Sequence, residues 1–156
     1  MNEIEVFSLE EMYASLPKYQ ATTIQFLVEK YGEEKAAEMW LESMGPKQTQ
    51  HFGGKSTELV SQSGKTVSFW KRCKTEFDKL ICGHSDWEKE HKEYVNYGKA
   101  ISIATATGIA GVLSPVIGVT TVILIPAIEL LLRTVSKLGV NAYCANKDFE
   151  NAKLTH

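Results

Sequence analysis

The chain has 156 residues, 17 of them basic and 19 acidic, and 44% are hydrophobic. That length suits one ordinary domain with a real core, and the composition excludes a disordered or collagen-like chain. The near-neutral balance also excludes the general basic signature of a nucleic-acid binder.

Charge is unevenly spread. Residues 1–45 hold three lysines against nine glutamates, 46–99 hold ten basic against seven acidic residues, and 100–156 hold four against three. Such asymmetry lets the parts attract one another, or orients the protein on an anionic surface. Cys73, Cys82 and Cys144 form an odd, sparse set. The first twenty residues carry four glutamates and no sustained apolar run, so no signal peptide is expected. A reduced cytoplasmic setting without disulfides follows. Asn2 excludes myristoylation, and Lys-Leu-Thr-His at the end is no prenylation box.

An acidic N-terminal region, 1–45, is predicted to be helical. Ser8-Leu9-Glu10-Glu11 has capping-box spacing and starts a short helix that stops before Pro17. Ile24, Leu27, Val28 and Tyr31 give one apolar face to a second helix, Lys18 to Tyr31. Gly32 ends it, Glu33 to Met44 forms a third, and Gly45-Pro46 stops that one. Residues 46–65 read as a polar loop.

The region 66–156 opens with a helix from about Thr66 to Ile81, its stripe being Trp70, Cys73, Phe77 and Leu80. Cys82-Gly83-His84 breaks it. Ser85-Asp86-Trp87-Glu88 has capping-box spacing and is expected to open a helix whose polar turns run directly into an uncharged segment. Gly139 should end the helix after that segment, and Val140 to about Lys153 a last one. Val119 to Ile125 is β-branched enough for a strand but has no partner, so helix is predicted. The fold class is therefore all-α: a helical bundle with an apolar, Pro/Gly-interrupted hairpin or kinked span near the C-terminus.

Between Lys99 and Glu129 lie 29 residues without a charge, 100–128, more than the roughly 20 that span a bilayer as a helix. Either Ser114-Pro115 turns the chain into a hairpin, or Pro115 only kinks one span. A 14-residue arm is about 21 Å long, short of a hydrocarbon core of about 30 Å, so flanking residues must extend both arms. Ala100, Ala104, Gly108 and Gly111 follow a small-residue spacing that lets helix backbones approach closely; Pro115, Gly118 and Pro126 punctuate the segment. Apolar burial contributes about 25 cal/mol per Å², so this segment needs shelter in lipid, in an oligomer or in its own core.

Glu129 stands out because apolar residues flank it. In a membrane it would line a pore or hold a cation; the plainer expectation pairs it with Arg133 at i+4, where the helix emerges into solvent. Cys73, Cys82, His84 and His91 match no zinc-ligand spacing, and neither Gly54-Lys55-Ser56 nor Gly64-Lys65-Thr66 has the upstream glycine of a phosphate loop. Lys71-Arg72-Cys73-Lys74 interleaves with aromatics, but Glu76 and Asp78 follow at once, as on a solvated helix face. No catalytic constellation emerges, so neither an enzyme, nor a cofactor, nor a metal, nor nucleic acid is expected.

A polar helical part leading into an apolar hairpin resembles the plan of helical pore-forming or membrane-disrupting effectors, an analogy of architecture only. The expectation is a cytoplasmic, inner-membrane associated effector that forms homo-oligomers and inserts its apolar segment in membrane lipid. Its N-terminal helices would receive a regulatory protein partner. The alternative is a soluble helical adaptor whose hairpin forms an oligomer or partner interface.

Overall fold

The computed structural model describes residues 5–44, 68–95 and 100–145. Among them it is all-α, with eight α-helices and one 3-10 turn, as the apolar periodicity predicts. The predicted loop 46–65 and the far end of the predicted last helix lie outside the described residues.

The first three helices fall where the sequence signals put them. In α1 (Leu9–Ser15) the Ser8 hydroxyl accepts from the Glu11 amide at 3.0 Å, and the Glu11 carboxylate accepts from the Ser8 amide at 2.8 Å. That reciprocal pair satisfies two donors the helix start would otherwise leave orphaned. Pro17 separates α1 from α2 (Lys18–Tyr31), and Gly32, at φ +92°, separates α2 from α3 (Glu33–Met44).

Later boundaries depart from expectation in instructive ways. Helix α4 (Phe69–Cys82) is capped by Ser68, whose hydroxyl accepts from the Lys71 amide, and it closes on left-handed Gly83. The Ser85 capping box does not form: Ser85–Trp87 is a 3-10 turn, and the His84 ring Nδ1 accepts from the Asp86 amide at 3.0 Å instead. Helix α5 (Glu88–Tyr94) ends at extended Val95 and does not continue into the apolar segment. Helix α6 (Ile103–Ile117) starts afresh behind Ser102, an extended residue whose hydroxyl accepts from the Thr105 amide. Ahead of it Ile101 donates to the Glu5 carbonyl, tying the N-terminal segment to the entry of the hairpin.

Pro115 makes no turn. It lies inside α6, and the chain reverses at Gly118, φ +92°, before α7 (Thr121–Leu138). A proline needs only a missing N–H tolerated, whereas the reversal needs a left-handed residue, which glycine alone supplies cheaply. Helix α8 (Val140–Cys144) then follows Gly139.

Helix α7 occupies the centre, with α3 and α6 packed along it, α2 behind α3, and α8 against both α4 and α7. Leu130, Leu131 and Leu132 are all buried. Three consecutive helical residues point about 100° apart, so their joint burial requires neighbours on nearly every side. Around them Met12, Ile24, Trp40 and Phe77, from four other helices, complete one continuous core.

Candidate functional site

The uncharged segment folds into two helices bent by 120° about residues 118–120. Side chains from three other helices close on that corner. Pro126 lies inside α7 and has no N–H, which strands the Val122 carbonyl one turn earlier. Gln20 of α2 supplies the missing donor, its Nε2 lying 3.2 Å from that oxygen. Trp40 of α3 donates Nε1–H to the Ile123 carbonyl at 2.7 Å, and Arg72 of α4 donates from Nη1 to the Ile117 carbonyl at 3.1 Å. The arginine thereby places a cation at the C-terminal end of α6, where the helix dipole favours it. The Ser114 hydroxyl spans the corner itself, donating to the Val119 carbonyl at 2.6 Å. A polar residue, an aromatic and a cation are thus spent on backbone carbonyls that apolar neighbours cannot satisfy.

The small-residue stripe faces outward. Ala104, Gly111 and Pro115 are exposed along one side of α6, with Gly118 exposed at its end; Ala100 is exposed but precedes the helix. Gly108 alone is covered, and a Cβ there would come within 2.6 Å of the Tyr94 ring, whereas one at Gly111 would meet nothing within 4 Å. The opposite side carries the buried residues Ala106, Ile109, Ala110, Leu113 and Ile117. Close backbone approach within the chain is therefore not what this stripe serves, apart from the Tyr94 contact. Pro126 and Glu129 lie across the corner in the core.

Glu129 neither emerges into solvent nor pairs with Arg133. Its side chain is fully buried; among the described residues Oε1 has no hydrogen-bond partner, and only the Ser15 hydroxyl of α1 approaches Oε2, at 3.4 Å. Burial pushes its carboxyl up to about 8, against a small lowering by Ser15, so it is mostly neutral at pH 7. Arg133 turns away to Glu33 of α3, with Nε and Nη2 at 3.0 and 3.2 Å from the two carboxylate oxygens, and donates Nη1–H to the Phe7 carbonyl. A bidentate partner with exposure to water is a better seat for a guanidinium than a buried acid. Spacing along α7 could not reveal that competitor, which sits 100 residues away.

The expectation of no disulfide is overturned: Cys82 and Cys144 are bonded, with Cα atoms 5.7 Å apart. They stand 62 residues apart in sequence, and only the fold brings the end of α8 back to the end of α4. The bond also takes Cys82 out of the Cys/His series and removes the argument for a reducing compartment. Cys73 is a buried thiol, and burial pushes its pKa up to about 12. His91 sets Nδ1 3.0 Å from the Leu80 carbonyl. Among the described residues no group of three metal-binding side chains converges. The sequence also gave no signal for the seat of α8, where buried Asp78 takes both the Tyr143 hydroxyl and, at 3.3 Å, the Lys74 ammonium.

Among the described residues no single helix is long and apolar enough to cross a membrane; α6 and α7 together are, by length and composition alone. Comparison of the chain with protein-family models, with curated proteins and with solved structures finds no match.

Proposed function

We propose that this protein is a helical interaction module that self-associates through the outer side of α6 and the α6–α7 corner. One observation carries the reading. Thr107, Gly111, Pro115, Val116, Gly118 and Val122 all face water, yet no residue from 100 to 128 is charged. A water-facing helix side ordinarily carries charge, as α2 does with exposed Lys18, Glu29 and Lys30 and α3 with Glu34, Lys35 and Glu42. An uncharged side built from small residues admits a second helix at close range. Two-fold pairing would set the same face of two copies together, with Gly111 near the centre.

Sedimentation velocity over a range of concentrations tests this. The wild type should form a defined oligomer and Gly111→Lys a monomer of unchanged helicity, because the added side chain meets nothing in its own fold. A wild type that stays monomeric at high concentration, or a variant that still assembles, sinks the reading.

The joint length and apolarity of α6 and α7 favour a second reading, a membrane-associated effector that inserts this hairpin. Insertion would require α7 to leave the core and so needs a trigger. Sedimentation of wild type with and without anionic vesicles separates the two: co-sedimentation independent of oligomer formation favours lipid.

A further inference from the structure

The seat of α8 is unusual in what holds it. The helix has five residues, Val140–Cys144, far below the length at which an isolated helix persists in water. Val140 and Tyr143 are buried, the Tyr143 hydroxyl donates to Asp78, and the Lys74 ammonium lies 5.3 Å from the centre of the Tyr143 ring. In addition the attachment to α4 is covalent, through the last residue of each helix. Both bonded cysteines are half-buried, so a small thiol can reach them, whereas Cys73 is completely enclosed and its thiol is held protonated. No second accessible thiol on the described chain competes for exchange. The bond closes a loop that contains α5, α6 and α7, and with them the whole uncharged stretch 100–128.

We propose that the Cys82–Cys144 bond is a redox switch that fastens α8 against α4 and α7, and that a small dithiol reductant opens it without unfolding the remaining helices. In the opening step a thiolate of the reductant attacks one cysteine sulfur. The sulfur–sulfur bond breaks, and the other cysteine leaves as a thiolate and takes up a proton. The second thiolate of the reductant then displaces the first cysteine from the mixed disulfide in the same way. Two electrons pass from the dithiol, which ends as a disulfide, to the protein, which ends with two thiols. Once released, α8 loses its covalent tie to α4 and relies on non-covalent contacts, among them the Tyr143–Asp78 bond, the Lys74 ammonium on the Tyr143 ring and two buried side chains, so that it can lift from the faces of α4 and α7. The switch concerns α8 and stands whether or not the chain self-associates through α6.

The full chain is treated with dithiothreitol under native conditions, alkylated, mapped by mass and followed by hydrogen exchange. Cys82 and Cys144 should be alkylated while Cys73 is spared. Amides of residues 140–144 should lose at least about tenfold of their protection, since opening then costs little beyond local fraying, and those of α7 should keep theirs. After removal of the reductant, excess oxidised glutathione should restore the original pattern. Alkylation of Cys73 at the same rate as the pair would mean that reduction requires global unfolding, and would overturn the proposal. So would unchanged protection of 140–144 after complete reduction, or failure of the bond to re-form. The double variant Cys82→Ser/Cys144→Ser should show the reduced pattern without any reductant; full protection of its α8 would overturn the switch independently.

Discussion

Helices α6 and α7 share one uncharged segment, 100–128, which α7 leaves at Glu129, yet along that segment they meet opposite fates. Helix α6 buries Ala106, Ile109, Ala110, Leu113 and Ile117, a single face at the i, i+3, i+4, i+7 spacing, and shows water its small residues. Helix α7 buries ten of its residues, including the unbroken run from Pro126 to Leu132. Charge is absent from 100 to 128 on both sides of the corner, so charge does not decide the difference. Side-chain bulk does: leucines and isoleucines on every side of α7 repay enclosure by other helices, whereas glycine, alanine and threonine on the back of α6 have little area to withdraw from water.

The sharpest way to break this contrast is to trim one large residue from each helix. Leu131→Ala in α7 leaves a cavity around a side chain with no exposure and should cost about 3 kcal/mol. Val116→Ala in α6, 47% exposed, should stay within about 0.5 kcal/mol. Urea unfolding of the two variants measures both; comparable losses would mean that the back of α6 is covered in solution, as self-association at the working concentration would do.

A second difference is electrostatic. Glu129 is the acid that α7 takes into the core, and its pKa is raised by the fold. The neutral form is therefore the one that the native state accommodates. Its contribution to stability is complete below the unfolded pKa of about 4.5 and is lost as pH rises toward about 8. Within that window the loss runs up to about 1.4 kcal/mol per pH unit. Glu129→Gln should flatten the thermal stability profile between pH 5 and 8 and exceed wild type at pH 7; an unchanged slope would place water at the carboxylate. Glu33 acts at the other end of the scale. Burial alone would raise it, but Arg133 and Lys137 outweigh that and hold it low, so its contribution is lost only as pH falls into the acid range.

Local rules made the N-terminal helices legible. Ser8, Pro17 and Gly32 act within three or four residues of the boundary they set, and so do Gly83 and Gly139. What stayed hidden depends on residues distant in sequence. Nothing near Glu129 says that Arg133 will prefer Glu33, and nothing near Cys82 says that Cys144 returns to it. The stripe at Ala100, Ala104, Gly108 and Gly111 was readable as a small-residue helix face, although Ala100 precedes the helix, but periodicity gives a face without its direction. Which side of α6 turns inward is fixed by the bulk at Ile109 and Leu113, which the glycines cannot match. The partners of the corner carbonyls were foreseeable only in part: Pro126 announces that the Val122 oxygen needs a donor, but not that Gln20 provides it.

The smallest predicted effects resolve the two glycines of α6. An alanine in place of a helix-interior glycine gains about 1 kcal/mol from backbone entropy and propensity. In the dilute monomer Gly111→Ala should realise that gain, because its new methyl meets nothing within 4 Å in its own fold, and should raise Tm there by about 2–4 °C. Gly108→Ala should not, since its methyl would fall 2.6 Å from the Tyr94 ring and the ring must swing out, giving up its cover over α6. Pairing each change with Tyr94→Ala separates the terms. Removing the ring should restore the gain at Gly108 and leave the gain at Gly111 as it was. Equal melting shifts for the two single variants would show that Tyr94 does not hold its place on α6, and the outward face of that helix would then extend one turn further toward its N-terminus.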